Sequence, residues 1–144
     1  MSHANDLDVQ RACEHVVISY ARASDLGDAD HAAALFTEDG QLEMPGGRTY
    51  TGRAAIRLRL RDQPSGQVSR HLLSNLTVER RGPAVATGRS CVTIYRATRT
   101  GGTGPLPLLG PYLVGEYEDE YRLTAEGWRL ATRRLTTIFR RPAD

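Results

Sequence analysis

Between residues 6 and 22 the apolar side chains recur at helical spacing: Val9, Cys13, Val16, Val17 and Tyr20 form a stripe, while Gln10, Arg11, Glu14 and Arg22 lie off it. The pattern predicts a core-facing helix of about five turns. Gly27 supplies a C-terminal stop, and Asp28 suits the cap of a second helix carrying Ala29, Ala32, Ala33, Leu35 and Phe36. Residues 41–44 read as a short strand closed by the turn Pro45-Gly46-Gly47. Thr51-Gly52 then introduces a third, arginine-rich helix over 53–61, with Ile56 and Leu60 on one face, and Pro64-Ser65-Gly66 ends it. From residue 68 the period changes. Strands are predicted over 68–80, 85–98, 112–123 and 128–139, with turns at 81–83 and 124–127 and a glycine- and proline-rich loop over 99–111. Helices first and meandering strands afterwards describe an α+β domain spanning 1–144, its helices packed on one face of an antiparallel sheet.

Strand alternation says which side chains can face an enclosed space. In 112–123, Leu113, Gly115, Tyr117, Asp119, Tyr121 and Leu123 share one face, and Glu116, Glu118, Glu120 and Arg122 share the other. The first set is the expected inner face. In 85–98, Cys91, Thr93, Tyr95 and Ala97 oppose Val92, Ile94 and Arg96, and either face can be inward. In the last strand Trp128, Leu130 and Thr132 keep one parity while Leu135, Thr137 and Phe139 keep the other, so a bulge is expected near Arg133-Arg134.

Composition narrows the function classes. A 40% hydrophobic, 25% charged chain with no apolar run near a membrane span reads as a soluble globular protein. The N-terminus is polar and acidic, unlike a secretory signal or transit peptide, and cytoplasm is the expected location. All nineteen basic residues are arginine; the absence of lysine removes Schiff-base chemistry and the phosphate-loop lysine. A net charge of +2 gives no nucleic-acid footprint, and the arginines at 129, 133, 134, 140 and 141 alternate with apolar residues as a strand's solvated face would. Cys13 and Cys91 are too few for a disulfide framework. Four scattered histidines make no ligand set, so no metal is expected.

The candidate chemistry rests on three residues. His71 is the one histidine in a strand, since His15 and His31 lie on helices and His3 in a terminus expected to fray; an imidazole facing a pocket is suited to moving protons near neutral pH. Its strand face also carries Leu73 and Asn75. Tyr20 would bring a phenol to the same space, or serve as a core tyrosine. For Asp25 two placements are open. On an unbroken helix it falls about 140° around from Tyr20 and faces solvent. If the helix ends or bends near Ser24, it turns inward and can orient His71.

The order Tyr20, Asp25-Leu-Gly-Asp28, Ala34-Leu-Phe36-Thr-Glu-Asp39-Gly, Gly52-Arg-Ala-Ala-Ile56, Arg70-His71-Leu-Leu-Ser-Asn75, Tyr117-Glu-Asp119 and Gly127-Trp128-Arg resembles the SnoaL-like branch of the nuclear-transport-factor-2-like superfamily. The resemblance implies a cone: a curved antiparallel sheet wrapped against three N-terminal helices, enclosing a pocket, and a homodimer through the sheet. Within the superfamily the pattern is similar to the scytalone-dehydratase and bile-acid-dehydratase-like enzymes, whose pockets use a tyrosine, an aspartate and a histidine. That likeness implies Tyr20, Asp25 and His71 as catalytic residues and a small hydrophobic molecule as substrate. It also implies a cofactor-independent lyase or isomerase, most readily a dehydratase. Asn75, Tyr95 and Asp119 are the further substrate-binding candidates, with an ion pair to Arg133 or Arg134 as the structural alternative for Asp119. The sequence lacks the extra strand acid of the bile-acid enzymes, reading Val92-Thr-Ile-Tyr95 there. The same fold also serves as a ligand-binding or assembly module, as in the small subunit of ring-hydroxylating dioxygenases.

Overall fold

The computed structural model describes residues 5–143; His3 lies outside the described residues. Helix α1 spans Asp6–Leu26. It starts on a reciprocal cap in which Asn5 Oδ1 accepts from the Asp8 N–H at 2.8 Å while the Asp8 carboxylate accepts from the Asn5 N–H. It ends on Gly27 at φ 70°, the left-handed conformation that glycine adopts without penalty. Asp28 caps α2 as expected, accepting from the His31 N–H at 3.0 Å.

Helix α2 covers only Ala29–Ala34. Leu35 and Phe36, expected on this helix, leave it because Phe36 opens strand β1, Phe36–Met44, opposite Leu130. Strand β2, Arg48–Thr51, returns against β1 where only a turn was expected; four exposed or half-buried residues carry no alternation to betray it. Helix α3, Arg53–Arg61, follows. The remaining strands are β3 (Gln67–Arg80), β4 (Val85–Thr98), β5 (Leu113–Thr124) and β6 (Gly127–Arg140).

The six strands form one curved sheet in the order β2-β1-β6-β5-β4-β3, with the helices against its inner face. Neighbours run antiparallel except β1 and β6, which pair in parallel, so the expected antiparallel sheet is mixed. The exception follows from connectivity: β1 has its hairpin partner β2 on one side only, and on the other it lies beside the last strand, which is far away in sequence and free to run parallel to it. No helix is long and apolar enough to cross a membrane.

The parity change in β6 does reflect a bulge, placed two residues before the expected one. Glu120 faces Thr132 and Tyr121 faces Leu130, leaving Ala131 as the extra residue, so Trp128 and Leu130 before it and Arg133 and Leu135 after it all point inward. A second shift at Ile138 turns Phe139 outward, where it is 69% exposed. On β5 the inner set is buried except Leu123, which lies where the strand leaves the core.

Arg133 is the main departure from the expected solvated arginine face: its side chain has no exposed surface. Its Nε and Nη2 each donate to Asp119 at 2.9 Å in a two-pronged pair, and the Tyr121 hydroxyl donates to the same carboxylate at 3.0 Å. The guanidinium also lies 3.8 Å from the Tyr117 ring centre and 4.6 Å from that of Tyr20. Gly88 makes room for this arrangement, because a Cβ there would meet the Tyr121 ring at 3.0 Å and the Thr77 carbonyl at 2.9 Å. Burial alone would depress the guanidinium's pKa, but the adjoining carboxylate more than reverses this, and Arg133 keeps its charge.

Asp119→Ala leaves a buried guanidinium without a counter-charge and is expected to destabilise the fold by about 3–5 kcal/mol. Urea denaturation reads this, and Asp119→Ala combined with Arg133→Met is expected to recover most of the loss. An unchanged midpoint in the single variant would show that the pair is dispensable.

Candidate active site

Helix α1 does not end before Asp25; it runs as one helix to Leu26, one residue beyond. Asp25 nevertheless meets His71, with Oδ1 2.6 Å from the ring Nδ1. The reason is the curvature of the sheet. Tyr20 faces the inner surface, while the edge strand β3 passes alongside the helix and meets the flank that carries Asp25. An edge strand has backbone N–H groups with no neighbouring strand to receive them. The Asp25 carboxylate accepts the His71 N–H, shared between its two oxygens at 3.1 Å each, and holds the ring with the same group. A carboxylate only accepts, so the ring donates from Nδ1, and in the neutral ring Nε2 is then the acceptor. The side chains of His71 and Asp25 are 11% and 15% exposed, too enclosed for a solvated ion pair.

His71 forms part of the wall of a chamber of about 120 Å³ inside the cone, together with Tyr20, Ser24, Ser69, Tyr117 and Leu135. Asp25 does not line this chamber; it backs His71 from a shallow groove on the far side, beside Ile18 and Arg22. A larger hollow of about 740 Å³ lies on the outer face of the sheet, away from His71, among paired charges such as Glu43–Arg134 and Arg89–Glu118.

Tyr20 is buried, with its ring edge-on to Phe36 at 5.9 Å and to Tyr117 at 6.5 Å. Burial raises its pKa, with Arg133 opposing and Asp119 adding to the rise. Tyr117 shifts the same way, chiefly by burial. Both phenols therefore remain protonated near neutral pH and can donate hydrogen bonds into the chamber.

Three substrate-binding candidates are not in the chamber. Asn75 is exposed and takes a left-handed backbone, φ 51°, where β3 slips register between Ser74 and Thr77; this bulge turns it away from the face of His71 and Leu73. Tyr95 lies on the outer face, because Ala86, Gly88, Ser90, Val92 and Ile94 are the buried parity of β4. Asp119 is engaged beneath the tyrosines by Arg133 and Tyr121. The sequence reading missed Tyr117, whose place on the inner face of β5 was visible in the alternation, and Arg96, hidden by the ambiguous parity of β4.

The SnoaL-like domain family matches this sequence over residues 5–134. The chain belongs to that family. Among solved structures similar to this SnoaL-like protein, a variant of Rv3472, a protein of unknown function from Mycobacterium tuberculosis, is 31% identical over 88% of this chain and 69% of its own, with a TM-score of 0.74. An NTF2-like protein with a cystatin-like fold from Novosphingobium aromaticivorans is 27% identical over 89% of this chain and 80% of its own, TM-score 0.72. A protein named as a candidate scytalone dehydratase from the same organism is 26% identical, covering 90% and 83%, TM-score 0.76. No curated protein matches the sequence. The SnoaL-like fold thus has the nuclear-transport-factor-2-like architecture that the sequence order implied.

The protonation behaviour of the interior can be measured. Tyr20, Tyr117 and Tyr121 all have pKa values raised above 10.0 by burial. The unfolded chain ionises these phenols first, so their contribution to stability is complete below that pH and is lost as pH climbs above it. In an alkaline absorbance titration, three of the six tyrosines are expected to ionise only as the protein unfolds. Burial likewise pushes the Cys13 thiol up to about 12, whereas Cys91 is half-buried, so a thiol reagent at pH 8 is expected to label Cys91 and spare Cys13 until denaturant is added. Rapid native labelling of both thiols would contradict the packing of α1.

Proposed function

We propose that this SnoaL-like protein is a lyase or isomerase that works without a cofactor on a small, largely apolar molecule bearing a carbonyl and a hydroxyl group, and that its favoured reaction is dehydration. The observation that carries the reading is the Asp25–His71 contact of 2.6 Å, which backs the wall of a partly enclosed chamber that also holds two protonated phenols. A histidine fixed only for structure has no need of a carboxylate that satisfies both its backbone and its ring while its other nitrogen is left free.

The steps follow from these groups. His71 Nε2 removes the proton on the carbon next to the carbonyl; the C–H electron pair forms the double bond of an enolate, and Asp25 balances the imidazolium charge. Tyr20 or Tyr117 donates a hydrogen bond to the enolate oxygen. The enolate then expels the neighbouring hydroxyl as the new C=C bond forms, and the imidazolium returns its proton to the departing oxygen, releasing water and restoring neutral His71. Burial disfavours the phenolate, which makes Tyr20 better suited to holding the oxyanion than to giving up its proton. Reprotonation of the same enolate at another carbon would give an isomerase instead. The candidate scytalone dehydratase among the similar structures supports this class of reaction.

A second reading, a non-catalytic ligand-binding module, is favoured by the small size of the chamber, about 120 Å³. Turnover separates the two. Against a panel of β-hydroxy carbonyl compounds, His71→Ala is expected to lower kcat by about 10²–10⁴-fold, the usual contribution of a general base. Asp25→Asn keeps the shape but loses the counter-charge, and is expected to lower kcat with little change in KM. Both variants should retain the wild-type circular dichroism spectrum. Full activity in either variant removes the dyad from the mechanism, and binding without turnover in the wild type establishes the module.

A further inference from the structure

The chamber opens into a second recess of about 430 Å³, and Met44, Arg59, Ile94, Arg96 and Leu135 line both. This outer recess collects Arg48, Arg59, Arg96 and Arg140 around Tyr50 and Tyr112, and no acidic residue lines it. Several arginines elsewhere are matched to acids, among them Arg81 with Glu79, Arg89 with Glu118 and Arg134 with Glu43, while others such as Arg11, Arg70 and Arg129 stand apart from one another without an acidic partner among the described residues; the recess differs in gathering four. On α3, Arg53 pairs with Glu126, and Arg57 and Arg61 pair with Asp30, whereas Arg59, turned the other way, has no carboxylate within reach among the described residues. Arg48, Arg96 and Arg140 also lack an acidic partner among the described residues. Arg96 donates to Ser69 Oγ at 3.2 Å and lies 4.4 Å from the Tyr112 ring centre; Arg140 lies 5.8 Å from the same ring and Arg59 lies 5.9 Å from the ring of Tyr50.

Partial burial, with Arg59 and Arg140 adding repulsion, makes the guanidinium of Arg96 easier to deprotonate than a solvated one. Four like charges gathered at the mouth of a cavity, in a chain with seventeen acids available, lower one another's stability unless an anion comes to sit among them. Guanidinium groups suit that anion, since their paired N–H donors match the oxygens of a carboxylate or a phosphate. The tyrosine rings hold the arginine side chains in place without neutralising them.

We propose that the outer recess is an anion subsite, and that the substrate of this protein is a small molecule with a carboxylate or phosphate group whose uncharged, reacting end enters the inner chamber beside His71. This rests on the lyase or isomerase reading and extends it to a substrate class. It also resolves the small volume of the chamber, which needs to admit only the reacting fragment.

Binding of simple probes tests the subsite without requiring turnover, and so separates it from the dyad chemistry. Benzoate, phenyl phosphate and the uncharged isostere benzamide are titrated calorimetrically. Both anions are expected to bind about tenfold or more tightly than benzamide at low ionic strength, the scale of one charge-assisted hydrogen bond. The ratio of benzoate to phenyl phosphate affinity then identifies the preferred headgroup. The anion preference is expected to collapse in Arg59→Gln combined with Arg96→Gln, and to weaken in Arg140→Gln, an exposed position where the fold is not at stake. It is expected to persist in Asp25→Asn. Three outcomes overturn the proposal: benzamide binding as tightly as the anions, no anion binding up to about 10 mM, or an anion preference that survives the double variant. The last would mean that the arginines serve only to pack Tyr50 and Tyr112.

Discussion

The contact on which the functional geometry depends is a single carboxylate doing two jobs at the edge of a sheet. Asp25 takes up the backbone N–H that β3, as an edge strand, cannot give to another strand, and in the same position it fixes the imidazole of His71. The strand's need for an acceptor and the ring's need for an orienting partner are met together, so the ring is held from its backbone as well as from its side chain. Helix and sheet are thereby tied at His71, which lies between the interior and the groove that Asp25 lines.

Beneath this wall, the buried Asp119–Arg133 pair sets the positions of the phenols. Arg133 is shared between a carboxylate and two aromatic faces, and its Nη1 has no hydrogen-bond partner among the described residues. Its charge offsets part of the burial that raises the pKa of Tyr20 and Tyr117, so the tyrosines are kept as donors without being made inert. Asp119, which the strand pattern placed on the inner face, therefore reaches the chamber only through what it holds in place. The buried ion pair shapes the site and does not line it.

Much of the fold was legible in the sequence because its long elements carry strong periodicities. The stripe of α1 and the alternation of β5 depend on burial of one face, and that is what the structure shows for Val9 through Tyr20 and for Leu113 through Tyr121. What failed was information that lies between elements. Asn75 left its expected face because of a bulge, and a one-residue slip reverses every side chain after it. Tyr95 sat on a strand whose two faces were equally apolar, so the alternation had no sign. The parallel pairing of β1 with β6 is a matter of topology, invisible to local pattern. Asp25 shows the same limit from the other side. Helical spacing correctly put it away from Tyr20, but the inference that it must then face water assumed that the protein lies on one side of the helix only. A curved sheet covers two.

The charge pattern around the chamber carries the same reasoning to the ligand. An arginine on a solvated face is usually matched by an acid on a neighbouring strand or turn, as Arg89 is by Glu118 and Arg134 by Glu43. Such pairs contribute little to stability, but they keep the local field near zero. Where the matching stops, the field is no longer cancelled, and a partly enclosed recess with weakly screening walls concentrates it. In this protein four arginines without an acidic partner among the described residues converge on one recess, and two of them, Arg59 and Arg96, stand at its boundary with the chamber of His71. The residues that would select an anionic substrate and those that would transform it are thus adjacent but separate, one group reading charge and the other moving protons. A change of headgroup preference could therefore arise on α3 and β4 without disturbing the pairing of Asp25 with His71.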